Sequence, residues 1–141
     1  MFYEIEQFIG KIKSFLREDQ IVLNRDGLSH FSYDATEISY KPHIVVLPES
    51  TQEVSKVMRC AYDLNIPVTP QGGRTGLSGG AVPVEGEVVM SLLRMNRIIE
   101  IDTKNLQIVV EPGVVAADLQ KALKKNNFFF LLTHRALWRV P

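Results

Sequence analysis

Five of the chain's nine glycines lie within one short stretch, TPQGGRTGLSGGAVP, at positions 69–83. Glycine weakens ordinary secondary structure by about 0.5–1 kcal/mol relative to alanine, so this density indicates tight turning or the close approach of bare backbone to a ligand. Successive backbone N–H groups in a turn form a concave nest for anions such as phosphate. Thr75 and Ser78 add hydroxyl donors, and Arg74 adds a positive charge. The stretch therefore predicts a site for a phosphate-bearing ligand, with a purely structural loop as the alternative.

Two well-known phosphate-binding loops do not fit this stretch. A dinucleotide-binding glycine loop must open directly into a helix. Here Gly73, Gly76 and Gly79 are three residues apart, and the following Pro83 and Gly86 oppose a helix. The nucleotide-binding P-loop needs Gly-Lys-Ser/Thr, which the sequence lacks. The segment after the glycines is instead expected to be a strand.

The elements around the loop predict an α+β fold. The apolar run His43–Pro48 indicates a buried strand, and Ser50 with Glu53 three residues later is a capping box that begins a helix. The strand IPVTP follows, giving a strand–helix–strand unit with the glycines at its exit. The later elements expected are a strand at 88–92, two strands at 97–102 and 106–112 joined by a turn, and a helix at 116–125.

Apolar residues recur every three or four positions from Phe2 to Leu16, which predicts an amphipathic helix. Docking of this helix on its own domain is the expected role, and binding of a partner is the alternative.

Composition sets limits on the class of protein. The 141 residues suit one domain, and 16 basic residues balance 16 acidic ones, so nothing indicates a nucleic-acid partner. The single cysteine, Cys60, cannot form an intramolecular disulfide and is expected to lie in the core. No apolar run is long enough to span a membrane, and the N-terminus does not have the pattern of a signal peptide. A cytoplasmic protein is expected, and no metal site, because no pair of histidines has metal-ligand spacing.

Three separated segments resemble one family. PQGGRTGLSGGAVP, with PHIVVLPESTQEVSKVMRCAYDLNIPV before it and RMNRIIEIDTKNLQIVVEPGV after it, is similar to the PCMH-type flavin-binding domain of oxidases and dehydrogenases related to vanillyl-alcohol oxidase. The glycolate oxidase D-subunit and D-lactate dehydrogenase group is the part of the family it most resembles. The resemblance covers residues 33–130. It implies an N-terminal helix and connection at 1–32, followed by a flavin-binding domain that has its first half and only the start of its second, and is thus truncated.

The resemblance also implies where the cofactor binds. In the family, FAD lies between the two halves with its pyrophosphate on the glycine loop. The residues that match the FAD-binding positions are Gln71, Gly72, Gly73, Arg74, Thr75, Gly76, Leu77, Ser78 and Gly79 in the loop, with Pro112 and Gly113 in a turn near the cofactor. Some relatives attach flavin to a histidine where this chain has Arg74, so non-covalent FAD is expected. Tyr33 and Asp34 are interpreted as packing and turn residues.

The activity that the resemblance implies is oxidation of a 2-hydroxy acid, such as glycolate or D-lactate, by hydride transfer to flavin. The family's general base, substrate clamp and metal ligands belong to later segments, so no residue of this chain is assigned to catalysis. Three hypotheses remain for the chain itself: an inactive truncated fragment, a half-subunit completed by a second chain, and a stand-alone nucleotide-binding module. Other oxidase subunits are the partners expected.

The final segment, Leu131–Pro141, departs from the family's usual continuation, Pro-Pro-Asp-Pro-Ser-Ser. A set of codons exists that encodes these residues and, after one C is restored in front, encodes Pro-Pro-Asp-Pro-Ser-Ser-Ser-Leu-Glu-Ser-Ala. The segment is therefore predicted to be out-of-frame translation after loss of one nucleotide, by mutation or sequencing error. A naturally divergent tail is the alternative.

Overall fold

The computed structural model describes residues 2–36, 38–84, 87–125 and 127–130, so the predicted out-of-frame segment at 131–141 lies outside the described residues. The helices and strands are, in chain order, α1 (Phe2–Ile12), β1 (Ile21–Val22), α2 (Arg25–Ser29), β2 (Ile44–Val46), α3 (Thr51–Asp63), β3 (Val68–Gln71), β4 (Val88–Ser91), β5 (Ile98–Asp102), β6 (Gln107–Val110) and α4 (Ala116–Lys124). The α+β class expected from the sequence is confirmed. None of the helices in these ranges has both the length and the apolar character that a membrane crossing requires.

Four strands form the main sheet, in the order β1-β2-β4-β3. β2, β4 and β3 are parallel, and β1 pairs antiparallel with β2 at the edge. The predicted strand–helix–strand unit is β2–α3–β3, but its two strands do not touch because β4 lies between them. Every residue of β2 and β4 is buried, as expected of parallel strands covered on both faces.

The N-terminal helix α1 packs on α3 and closes the core on one side of the sheet. Ile5, Phe8 and Ile12 are buried in one cluster with Val57 and Ala61 of α3. Burial of a side chain such as Phe8 or Ile12 contributes about 1.5–3 kcal/mol. The apolar face of α1 is therefore occupied by its own domain rather than open to a partner.

The helix α3 begins as the capping box predicts, with one difference. Ser50 Oγ accepts a hydrogen bond from the backbone N–H of Glu53 at 3.2 Å. The Glu53 carboxylate accepts from the backbone N–H of Glu49 at 2.8 Å, one residue before the cap. It also accepts from the side chain of the buried Gln20 at 2.8 Å, which ties the segment before β1 to the start of α3.

β5 and β6 form a separate two-stranded antiparallel sheet, as the sequence predicts. Asp102 shapes the turn by accepting hydrogen bonds from the backbone N–H groups of Lys104 and Asn105 at 2.9 and 3.0 Å. Apolar side chains of this hairpin remain in solvent, with Ile99 62% and Val109 47% exposed. The two strands are only partly covered within the described residues, because Ile98, Ile101 and Ile108 are half-buried while most of their neighbours are exposed.

Candidate functional site

The glycine loop, residues 72–81, begins where two parallel strands end side by side. Gln71 is the last residue of β3, and it is in register with Ser91, the last residue of β4. The N–H of Leu92 donates to the carbonyl oxygen of Gln71 at 2.8 Å and extends this pairing by one step. Ligands of open parallel sheets bind outside the carboxyl ends of the strands. The loop therefore leaves the sheet at the edge where a ligand site is expected.

The loop glycines face open space. A Cβ atom built on Gly76, Gly79 or Gly80 meets no neighbouring heavy atom within 4 Å, and one on Gly73 meets only the Thr75 side chain at 3.9 Å. Gly79 has a φ of +75°, which explains a glycine there. Gly76 has no such φ, so neither its backbone nor its packing requires glycine. A glycine that neither its φ nor its packing requires is consistent with a backbone that a ligand approaches closely.

Gln71 closes the base of the loop with its side chain. Its Nε2 donates to the carbonyl oxygen of Ala81 at 2.6 Å and to that of Phe31 at 2.8 Å. Its Oε1 and the Oγ of Ser91 are buried, and neither has a hydrogen-bond partner among the described residues. Such buried unpaired polar atoms cost about 1–3 kcal/mol each. A ligand or water that reaches the strand ends would gain these hydrogen bonds.

Arg74 is held against aromatic rings rather than extended into solvent. Its guanidinium carbon lies 5.4 Å from the centroid of the Phe31 ring and 5.2 Å from that of Tyr33, within cation–π range. Its φ of 56° is in the left-handed region, which is uncommon for a residue with a side chain. Nε and Nη1 are buried without a hydrogen-bond partner in the described part of the chain. A fixed cation with unused donors therefore stands at the start of the loop.

Three loop residues form its outer rim. Thr75, Leu77 and Ser78 are exposed, Leu77 to 76%. Their positions leave the hydroxyl groups of Thr75 and Ser78 accessible to a ligand.

The Pro112–Gly113 turn, which follows β6, lies beside the glycine loop. A Cβ on Gly72 would lie 3.7 Å from the carbonyl oxygen of Pro112. Gly113 itself is buried against the chain that follows β4, where its N–H donates to the carbonyl oxygen of Met95 at 2.8 Å. The two segments that the sequence assigned separately to the cofactor are thus brought together.

An ion pair supports this turn, and the sequence analysis missed it. The carboxylate of Glu111, only 7% exposed, accepts from the Arg97 guanidinium at 2.7 and 3.0 Å and from the Arg97 backbone N–H at 2.8 Å. Hydrogen bonds from the Arg97 side chain, followed by that from its backbone, lower the pKa of Glu111. These bonds tie the start of β5 to the end of β6 directly before the turn.

Asp34 is a turn residue, as the sequence suggested, and it also lies beside the glycine loop. It is buried, and its Oδ1 accepts hydrogen bonds from the hydroxyl and the backbone N–H of Thr36. The Thr36 hydroxyl and N–H lower the pKa of Asp34 most, and the backbone N–H groups of Ala81 and Gly79 lower it further. Nothing in the sequence around Asp34 signalled the effect of these N–H groups, which lie more than forty residues away along the chain.

Metal ligands are not assembled in the described ranges, where no three His, Cys, Asp or Glu side chains could hold an ion. Cys60 is half-buried on α3 and packs against the main core.

The segment that contains the glycine loop and the Pro112–Gly113 turn matches a known protein family. The "FAD binding domain" family matches residues 42–137, which includes the glycine loop and the Pro112–Gly113 turn and ends inside the 131–141 segment. The chain is 37% identical over 101 residues to the glycolate oxidase subunit GlcD of Bacillus subtilis, covering 71% of this chain and 22% of that protein. It is 38% identical over 126 residues to D-lactate dehydrogenase of Anaerostipes hadrus, covering 88% and 26%.

Solved structures agree on the fold. p-Cresol methylhydroxylase with substrate bound superposes with a TM-score of 0.81 at 26% identity, covering 90% of this chain and 26% of that one. The chain spans about a quarter of the length of these relatives. The family match covers most of the chain and the loop at its centre. The chain therefore belongs to the FAD-binding domain family of flavin-dependent oxidoreductases, with FAD as its cofactor.

Proposed function

We propose that this chain holds the pyrophosphate of non-covalently bound FAD for an oxidoreductase that oxidises a 2-hydroxy acid. The observation that carries the proposal is the open space over Gly76 and Gly80, two glycines of one loop that neither a positive φ nor packing requires. They lie in a loop at the carboxyl ends of β3 and β4, which supports its use as a backbone cradle for phosphate.

The donors around the loop suit an anion. Arg74 supplies a fixed positive charge with unpaired Nε and Nη1 groups, and the rim hydroxyls of Thr75 and Ser78 are accessible. The residues proposed to contact or shape the cofactor site are Gln71, Gly72, Gly73, Arg74, Thr75, Gly76, Leu77, Ser78, Gly79, Pro112 and Gly113. Within this set Gln71 and Gly113 are buried, so their role is to fix the shape of the loop and the turn.

The residue types of the loop support non-covalent attachment. Residues 71–81 contain no histidine, cysteine or tyrosine, and Arg74 stands after the paired glycines. No side chain that could bond covalently to flavin is therefore present in the loop.

The substrate class comes from the relatives. They are named glycolate oxidase subunit, D-lactate dehydrogenase and D-2-hydroxyglutarate dehydrogenase, and each acts on a 2-hydroxy acid. When bound, FAD supplies the hydride acceptor for such a reaction. Association with other oxidase subunits is proposed by analogy with GlcD, which is itself named as a subunit. A cytoplasmic location stays a prediction from the sequence.

The test uses the isotopically labelled 141-residue chain, titrated with FAD and followed through its amide resonances, which detect even millimolar binding. We expect the amide signals of residues 72–79 to shift as FAD is added. Gly76→Val should remove these shifts because its side chain fills the space above the loop, while the fold persists because that space holds no protein atom.

Gly10→Val is the matched control. Gly10 is exposed on α1 and also has no neighbour within 4 Å of a built Cβ, so the same side chain is added away from the loop. Retained FAD shifts in Gly76→Val, or shifts confined to residues outside the loop, would refute the proposed site.

A further inference from the structure

Two arginines and two carboxylates, here called the ion-pair ring, bring together three distant parts of the chain. The Arg17 guanidinium donates to Asp19 Oδ1 at 3.1 Å and to Glu49 Oε1 at 2.5 Å. Nη1 of Arg94 donates to Asp19 Oδ2 at 2.6 Å and to Glu49 Oε1 at 3.0 Å. Each arginine therefore bonds both carboxylates, and the four side chains form a closed ring.

The ion-pair ring lies at the edge of the sheet from which the glycine loop also leaves. Glu49 follows the end of β2 by three residues, and Arg94 follows the end of β4 by three residues. β2 and β4 are parallel neighbours, with Val46 in register with Met90, so the two strands end side by side. The ring is thus built on the carboxyl ends of the strands, where ligands of open parallel sheets bind.

The acidic side of the ring is fixed to the sheet by Gln20, which is completely buried. Its Nε2 donates to the carbonyl oxygen of Leu47 at 3.1 Å and to the Glu53 carboxylate at 2.8 Å. Nη2 of Arg94 donates at 2.8 Å to the backbone carbonyl oxygen of Asp19, the residue before Gln20. The arginine is therefore bonded to a segment that is itself held firmly on the domain.

Residues 92–95, here called the connector, join the glycine loop to the turn at Gly113. At one end, the N–H of Leu92 donates to the carbonyl oxygen of Gln71 at 2.8 Å, directly before the loop. At the other end, the carbonyl oxygen of Met95 accepts from the N–H of Gly113 at 2.8 Å. The position of the connector therefore sets the position of the turn relative to the loop.

We propose that Arg94 is a positioning residue for the cofactor site, because it fixes the connector, and with it the Pro112–Gly113 turn, to the N-terminal part of the chain. Three charge-assisted hydrogen bonds from one side chain hold the connector more strongly than its single backbone bonds do. The gap between the turn and the glycine loop is then set in folding, and its ordering does not reduce the affinity for the ligand. The functional meaning of this role rests on the proposed FAD site, but the role itself is testable without a ligand.

Arg94→Met is the informative substitution, and Arg17→Met is its matched control. Methionine keeps an unbranched apolar side chain but has none of the arginine's hydrogen-bond donors. Both variants remove one positive charge from the same ring and leave the other arginine to pair with Asp19 and Glu49. Within the described ranges the Arg17 side chain makes no hydrogen bond to the connector, so only Arg94→Met releases it.

The first measurement is amide hydrogen exchange in the ligand-free 141-residue chain. For Arg94→Met we expect exchange at Met95 and Gly113 to accelerate by about tenfold, the factor expected when charge-assisted hydrogen bonds are lost at a partly exposed site. Arg17→Met should leave both rates close to wild type, and exchange in β2 and β4 should be unchanged in both variants. Wild-type rates at Gly113 in Arg94→Met, equal acceleration in Arg17→Met, or equal acceleration throughout β2 and β4 would overturn the positioning role.

Arg94→Lys covers the case in which Arg94→Met does not fold. Lysine keeps the positive charge beside Asp19 and Glu49, but its single ammonium group cannot reproduce the fork of donors that also reaches the backbone of Asp19. We expect exchange at Gly113 to accelerate by about threefold, between wild type and the loss of all three bonds. A wild-type rate at Gly113 in Arg94→Lys would show that these bonds do not hold the turn.

The FAD titration separates this inference from the proposed function. If FAD shifts no loop amide in the wild-type chain, the cofactor site is refuted, while the exchange data still decide the role of Arg94. If wild type binds FAD, we expect the affinity to fall by about threefold to tenfold in Arg94→Met and to stay unchanged in Arg17→Met. Unchanged affinity in Arg94→Met, despite faster exchange at Gly113, would refute the link between the connector and the ligand.

Discussion

Gly113 and Gly76 are glycines for opposite reasons, and substitution to alanine should distinguish them. A Cβ on Gly113 would lie 2.2 Å from the carbonyl oxygen of Leu92 and 2.8 Å from that of Met95. The first distance is about 1 Å short of the 3.4 Å at which ordinary van der Waals contact begins. The clashing atoms belong to backbone, so they cannot rotate away, and the turn itself must move.

The expected loss of stability follows from that movement. Overpacking of a fitted site costs about 1–3 kcal/mol. Displacing the turn also stretches the hydrogen bond from Gly113 N–H to the carbonyl oxygen of Met95, now 2.8 Å long, whose net contribution is about 1 kcal/mol. Gly113→Ala should therefore lower the free energy of unfolding by about 2–4 kcal/mol. Gly76→Ala should change it by less than about 0.5 kcal/mol, because its Cβ meets no atom within 4 Å.

Urea unfolding of the 141-residue chain, followed by circular dichroism, measures both variants. With a denaturant slope of about 2 kcal/mol per molar, Gly113→Ala should shift the midpoint by about 1–2 M and Gly76→Ala by almost nothing. In an FAD titration, Gly76→Ala should bind FAD more weakly than the wild-type chain although its fold is unchanged. If Gly113→Ala is as stable as wild type, or if Gly76→Ala is destabilised equally, the assignment of these two glycines is wrong.

Three further predictions concern affinity, pH and the gene. The 141-residue chain should bind FAD only in the millimolar range, because it spans about a quarter of its relatives' length and so offers only part of a cofactor site; micromolar binding by calorimetry would instead favour a stand-alone module. The folded-state pKa values of Asp34 and Glu111 are lowered, so the folded chain binds fewer protons than the unfolded chain. The stability that these carboxylates contribute is present above roughly pH 4, where their pKa values lie in the unfolded chain, and it is lost as the pH falls through their lower pKa values in the folded chain. Urea unfolding midpoints measured at about pH 6 and pH 3 should show this loss of stability, and the loss should be smaller in Glu111→Gln. When the gene is resequenced, the frame obtained by adding one C before the codon of Leu131 should encode a second flavin segment and a cap domain downstream, whether the C was lost by mutation or by sequencing error; a shifted frame that encodes neither would favour a naturally divergent tail.

Local signals in the sequence predicted the local elements well. The heptad-like spacing of Ile5, Phe8 and Ile12 predicts one buried helix face, and that face is buried. The cap at Ser50 and the turn between β5 and β6 also follow from side chains within a few residues of the backbone they bond. Such features are short-range and are encoded where they occur.

Contacts between distant segments were not predictable in this way. The sequence predicted a strand at residues 88–92, but periodicity cannot say that this strand lies between β2 and β3. It likewise gave no reason to pair Phe31 with Gln71, whose hydrogen bond joins residues forty positions apart. Only the fold brings the two within reach of one another.

The glycine loop shows why the difference between local signals and long-range contacts matters for function. In sequence, Gly76, Gly79 and Gly113 are equal members of two glycine motifs. In the structure, Gly79 is required by its φ of +75° and Gly113 by backbone packed against it, while Gly76 is required by neither. Removing these internal reasons leaves Gly76, together with Gly73 and Gly80 of the same loop, as glycines that neither φ nor packing requires. The strongest indication of a ligand therefore comes from loop positions at which the fold alone would tolerate a side chain.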